Sequence, residues 1–184
     1  HYHWVFMSRR EAGLANLEAL RSASGVRVGA QSIGHSVYIV GRLFAYLIGL
    51  KEPKFVVGYS GPELDLGLLQ GEFDARINNA DTLVTRNPEW LAKGVINVHA
   101  IMEVPKGVKH DHFGSLPEVE QFARSERERK VLAMLRAFRQ VGSPYILPPG
   151  TPKARVDVLK AAMRKTLADP EFATFFKKIV ADDI

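Results

Sequence analysis

The sequence predicts an α/β protein built on a parallel sheet. Short runs rich in β-branched and apolar residues recur at 4–8, 26–30, 54–57, 74–78 and 95–103, and helical patterns fall between them. Gly and Pro punctuate the junctions, as at Gly25, Gly49, Pro62, Gly71 and Pro88. The composition is globular: 184 residues, 46% hydrophobic and 24% charged, sufficient to bury a core without cross-links and neither disordered nor fibrous.

In order along the chain, residues 4–8 read as a strand, and 15–24 as a short helix carrying Leu17 and Leu20 that stops at Gly25. The run 26–30 is a buried strand, followed by an apolar helix over 34–49. That helix carries Arg42, and its apolar stretch is shorter than the ~18 residues of a membrane span. After the strand at 54–57, Ser60, Pro62 and Glu63 form a capping box that opens a helix to Gln70. Asn87 and Pro88 start a short helix to Lys93. In the strand 95–103, Ile96, Val98, Ala100 and Met102 alternate with Asn97, His99 and Glu103, which predicts one apolar and one polar face. Residues 104–116 read as an exposed polar loop, with helical patterns resuming at Pro117. Ser125 and Glu128 make a second capping box, and Val131, Leu132, Leu135 and Phe138 its inner stripe. Residues 145–147 read as a strand. Thr151 caps a helix whose core face is Val156, Leu159, Met163 and Leu167. Asp169 and Pro170 start the last helix, with Phe172, Phe175, Phe176 and Ile179 as its stripe.

Charge and chemistry narrow the function. The chain has no Cys, which removes disulfides, thiol nucleophiles and Cys-based zinc sites. The net charge of +5 favours an anionic partner. Basic residues alternate with acidic ones, as in 125–130, without aromatic interleaving, so nucleic acid is not expected. His110 and His112 stand two apart in a loop without further ligands, so neither a metal nor any other cofactor is expected.

In a parallel α/β sheet, ligands bind beyond the carboxyl ends of the strands. Three loops stand there. The first, 30–36, holds Ser32, Gly34, His35 and Ser36 where a helix begins, and free N–H groups at a helix start favour an anion. Ser32 would equally serve as a plain helix cap. The second holds Tyr59, Ser60 and Gly61, and Ser60 doubles as a cap. The third holds Asn79 and Asp81. Asn offers donor and acceptor, while Asp81 would suit a ligand ammonium or hydroxyl, or a helix start.

One enzymatic alternative is a serine hydrolase. Ala30, Ser32 and Gly34 follow a strand and open a helix, as in a nucleophile elbow. Ser32 would then attack, with Asp74 or Asp81 as acid and His99, His110 or His112 as base. Roughly thirty residues precede Ser32, too few for the upstream strands and oxyanion loop of such enzymes.

The same loops resemble the solute-binding receptors of tripartite tricarboxylate transporters, a periplasmic binding protein family. The resemblance rests on residues 26–36, on Val57-Gly58-Tyr59-Ser60-Gly61 leading to Leu68-Leu69-Gln70-Gly71-Glu72-Phe73-Asp74-Ala75, and on Leu147-Pro148-Pro149-Gly150-Thr151-Pro152 with Leu167-Ala168-Asp169-Pro170-Glu171. Each segment is short; their order and spacing carry the likeness. It implies a type II clamshell, here one complete lobe plus the C-terminal part of the other. Residues 1–25 would be a crossing strand and helix from lobe 1, 26–142 the ligand-binding lobe 2, and 143–184 a return strand and the C-terminal helices of lobe 1. The N-terminal part of lobe 1 and the export signal would lie outside this chain. It further implies a catalytically inert periplasmic receptor that holds a small organic carboxylate and works with membrane transporter subunits. Ser32, Gly34, His35 and Ser36 would form its anion site, Tyr59, Ser60 and Gly61 its rim, and Asn79 and Asp81 would face the cleft. Ala30, Gln31 and His35 depart from residues frequent in the family. The effector-binding half of a regulator shares this clamshell and is a third reading.

Overall fold

A computed structural model describes residues 3–142 and 144–180, with backbone alone for 177–180. The chain divides into two compact units, His1–Gly142 and Ser143–Ile184. The first is built on five strands: β1 (Trp4–Arg9), β2 (Arg27–Gly29), β3 (Lys54–Val56), β4 (Ala75–Asn79) and β5 (Ile96–Met102). Their order across the sheet is β3-β2-β4-β1-β5. The β2, β3 and β4 strands pair in parallel, while β1 runs antiparallel to both its neighbours, β4 and β5. The sheet is therefore mixed, not wholly parallel. The run Trp4-Val5-Phe6-Met7 is buried throughout, and a continuous apolar run suits a central strand covered on both faces. The strand of the first 25 residues hydrogen-bonds within this sheet. Because β1 is reversed, its amino end shares one edge with the carboxyl ends of the other four strands.

Local rules explain most helices. Asn16 caps α1 (Leu17–Ser22) through its side chain. Helix α2 (Ser36–Ile48) buries Val40, Phe44 and Leu47, and Phe44 stacks on Phe6 of β1 with centroids 6.1 Å apart. The expected capping box opens α3 (Gly61–Gln70). Asn79 caps α4 (Ala80–Arg86), a helix the sequence pattern did not reveal, and α5 (Pro88–Ala92) follows. The second expected capping box opens α6 (Glu126–Gln140).

Three further expectations fail in this unit. The alternation in β5 breaks at a bulge: Phe6 faces Ala100 but Met7 faces Val98, so His99 is the extra residue. The 104–116 loop is not uniformly exposed, since Val104, His110 and Phe113 are buried. On α6, Val131 and Phe138 are 39% and 67% exposed, whereas Leu132 and Arg136 are buried. Arg136 turns inward because acidic partners await it: its Nη2 reaches Glu118 Oε1 at 2.5 Å, its Nη1 pairs with Glu120, and its Nε donates to the Glu103 carbonyl at 3.0 Å. Such long-range ion pairing is invisible to periodicity.

The second unit holds α7 (Lys153–Leu167) and α8 (Pro170–Val180). Val156, Leu159, Met163 and Leu167 do share a face, but they line an open groove of about 880 Å³ together with Tyr145, Leu147 and Phe172. Residues 145–147 form no strand, because no described strand of this unit offers them a ladder. Thr151 donates its hydroxyl to the Pro148 carbonyl at 2.7 Å and closes a turn, so α7 begins after Pro152 without a side-chain cap. Asp169 accepts from the N–H of Glu171 at 2.8 Å at the start of α8. Ile179 lies outside the described side chains. Among the described residues no helix is long and apolar enough to cross a membrane.

Candidate functional site

Three loops leave the sheet at one edge, and the backbone ties the first two together. The N–H of Ala30 donates to the Val56 carbonyl at 2.8 Å, and that of Gly58 to the Gln31 carbonyl at 2.6 Å. In the first loop the capping role expected of Ser32 falls to His35, whose Nδ1 accepts the Val37 N–H at 3.2 Å. The Ser32 carbonyl instead closes a turn with the His35 N–H at 3.0 Å. Ser32 and Gly34 are exposed and Ser36 half-buried. Gly34 has φ 89°, a left-handed value that favours glycine. Helix geometry gives the other first-turn N–H groups of α2, beyond the Val37 N–H that His35 takes, no acceptor within the helix.

The second loop presents backbone more than side chain. Tyr59 packs edge-on against Phe73 with centroids 5.2 Å apart, and its hydroxyl donates to Glu72 Oε2 at 2.7 Å. That bond holds the Tyr59 phenol above its usual pKa. The Ser60 N–H donates to Glu63 Oε2 at 2.7 Å, and Gly61, exposed, begins α3.

In the third loop, Asn79 Oδ1 accepts the Thr82 N–H at 2.9 Å and so acts as the α4 cap. Asp81 meets His110, Nε2 to Oδ1, at 3.1 Å. His110 Nδ1 accepts the His112 N–H at 3.1 Å, which leaves the proton on Nε2. His3 stands edge-on to His110, ring centroids 5.6 Å apart. His3 Nδ1 accepts the Val104 N–H at 2.9 Å, and its carbonyl accepts the Ala80 N–H at 2.9 Å. Burial first, then the neighbouring His110, lowers the His3 pKa. The sequence reading offered Asp81 and His110 together only as one option for a hydrolase triad and did not foresee His3, which sits in an unpatterned terminus far from both in the chain. Among the described residues no group of three His, Cys, Asp or Glu could hold a metal ion.

The hydrolase constellation is not assembled. Among the described residues no side chain hydrogen-bonds Ser32. His99 Nε2 lies 2.8 Å from Ser8 Oγ, and both residues are buried. His110 is engaged by Asp81. Burial pushes the Asp74 carboxyl up, but its bonds to Arg27, including Nη2 to Oδ1 at 2.7 Å, outweigh that and hold it below the usual range.

No family model matches the chain, and no curated protein does. Solved structures do. Over 96% of this chain it superposes on 55% of the periplasmic binding protein BugD, with TM-score 0.59 and 17% identity. Over 97% it matches 55% of Rpa4515 from R. palustris, solved with adipate, at TM-score 0.60 and 15% identity. Over 96% it matches 56% of a TctC solute-binding protein from Polaromonas, solved without ligand, at TM-score 0.56 and 18% identity. The chain thus spans about half the length of these proteins, a share that fits one lobe. The mixed five-stranded sheet and these superpositions give the chain the α/β fold of periplasmic binding proteins, TctC-type solute-binding proteins among them.

Proposed function

We propose that this chain is the ligand-holding part of an extracytoplasmic receptor that captures an organic carboxylate for a tripartite tricarboxylate-type transporter. One observation carries the reading: the starts of α2 and α3 lie on loops that a Gly58-to-Gln31 hydrogen bond joins at the carboxyl edge of the sheet. Amides oriented at helix starts offset the cost of desolvating a carboxylate without a counter-ion. In this reading Ser32, Gly34, His35 and Ser36 surround the anion, and Tyr59, Ser60 and Gly61 form the rim. Asn79 and Asp81 complete the edge, with Asp81 oriented by His110. Residues 26–142 form the ligand-binding lobe, 1–25 thread a crossing strand into it, and 143–184 return to the other lobe. The receptor is catalytically inert and works in the periplasm with membrane transporter subunits. Adipate in Rpa4515 supports the class of ligand.

The test is a calorimetric and thermal-shift screen of di- and tricarboxylates and aromatic acids on the full-length protein. Binding of at least one acid, weakened by Ser32→Ala, is expected. A flat response to every acid overturns the reading, and Ser32-dependent ester turnover would restore the hydrolase.

A further inference from the structure

We propose that Asp81, held in place by His110, is a specificity-determining residue that receives an ammonium group on the ligand, so that the captured acid is an amino-carboxylate. The inference rests on the receptor reading above and deepens it by naming a second charge on the ligand.

The placement follows from the packing of α2 on β4. A Cβ added at Gly41 would meet Ile77 Cγ1 at 3.4 Å, so the middle of α2 lies against the middle of β4. From that contact the helix climbs about 7.5 Å back to Ser36, its first residue. The strand climbs about 7 Å onward to Asn79, its last. The first turn of α2 and the end of β4 therefore stand level at the carboxyl edge of the sheet. Asp81 lies just beyond, in the first turn of α4, where Asn79 and not Asp81 is the cap. The Asp81 side chain is 42% exposed, whereas that of His110 is 7% exposed. Oδ1 of Asp81 accepts the His110 Nε2 proton at 3.1 Å, and among the described residues nothing donates to its Oδ2.

The charge at that place is unbalanced. His110 accepts the His112 N–H on Nδ1, so its ring carries one proton and is neutral. Burial and the neighbouring His110 lower the His3 pKa from 6.5, which leaves that ring neutral near pH 7 as well. Among the described residues no lysine or arginine forms an ion pair with Asp81, and Lys106 and Lys109 pair with Glu120 and Glu103. The Asp81–His110 pair thus presents a net negative charge level with amides that favour a carboxylate. A ligand bearing carboxylates alone meets repulsion at Asp81, whereas an ammonium answers it with charge-assisted hydrogen bonds. Because a buried ring holds one oxygen, the acceptor is oriented before the ligand arrives.

The test compares short straight-chain mono- and dicarboxylates that bear an ammonium group at each position with the hydroxyl-bearing and unsubstituted acids of equal length, by calorimetry on the full-length protein. The tightest amino-carboxylate is expected to bind at least about tenfold better than its unsubstituted partner. Asp81→Asn, which keeps an acceptor for His110, should erase that ratio from both sides: the amino-carboxylate weakens, and the unsubstituted acid binds as well or better once the repulsion is gone. A residue with a merely structural role would weaken both acids together, and circular dichroism of the ligand-free variant reports its fold. An unchanged ratio in Asp81→Asn overturns the proposal, as does an equal loss for both acids. So does a wild type that prefers the hydroxyl-bearing or unsubstituted acid, a comparison that stands whether or not the variant folds. Failure of the wild type to bind any of these acids sinks the receptor reading itself, and this inference with it.

Discussion

His110 donates its Nε2 proton to Asp81 Oδ1 across 3.1 Å, and its other ring nitrogen accepts the backbone N–H of His112. One imidazole thereby fastens the 104–116 segment to the first turn of α4. Asp81→Ala is expected to cost about 1 kcal/mol in urea unfolding, while Asp81→Asn, which keeps an acceptor, should cost less. Amide exchange in residues 104–113 should rise in the Ala variant. Unchanged exchange there would mean that Phe113 and Val104 hold the segment without the pair.

His99 predicts an acid limit to stability. Burial alone pushes its pKa from 6.5 to about 4. The unfolded chain takes up this proton near 6.5, the folded one only near 4. Between those values the unfolded state binds more protons, so stability falls as pH drops through that window. The full loss is on the order of 3 kcal/mol. Equilibrium unfolding at pH 7, 5.5 and 4.5 measures it, and His99→Gln, which cannot titrate, should flatten the slope. An equal slope in that variant assigns the acid limit to other groups.

Removal of Arg136 is expected to be among the costlier single changes. It is 5% exposed and bonded to two carboxylates and one carbonyl. Arg136→Ala leaves Glu118 and Glu120 without it and is expected to destabilise by about 3–5 kcal/mol. Double replacement with Glu118→Gln should be less than additive, because the two share one interaction. Additive losses by chemical denaturation would place the cost in packing alone.

Gly29 ends β2 just before the first loop, and a Cβ there would overlap the Phe73 ring. Gly29→Ala is expected to cost about 1–3 kcal/mol through overpacking, and to displace the first loop with it. Phe73→Leu in the Gly29→Ala background should recover part of the loss. If the second substitution only adds to the damage, the close approach is not the cause.

How far the sequence reached depended on range. The capping boxes of Ser60 with Glu63 and of Ser125 with Glu128 were legible and formed as expected, since a cap is settled within four residues. The α4 helix was missed because Asn79, its cap, also ends a strand, so one residue carries two signals. Five strand positions held to within a residue or two, 145–147 formed no strand, and β1 alone departed in direction: nothing within residues 4–9 states that β1 enters reversed. The three edge loops were found by strand order, whereas their contents were only partly foreseen. His35 displaced Ser32 as cap because it stands immediately before α2, three positions closer to the helix, and Tyr59 was committed to Glu72.

By itself, the sequence determined where most helices start and stop and which five runs build the sheet, because these depend on neighbours a few positions apart. The tertiary structure alone decided that Trp4 lies beneath Arg139, that Ser8 meets His99, and that His3 stands against a His110 that meets Asp81. Each joins groups that the chain keeps far apart, with Ser8 and His99 separated by 91 positions. Only the closing of the sheet brings them within reach of short-range forces.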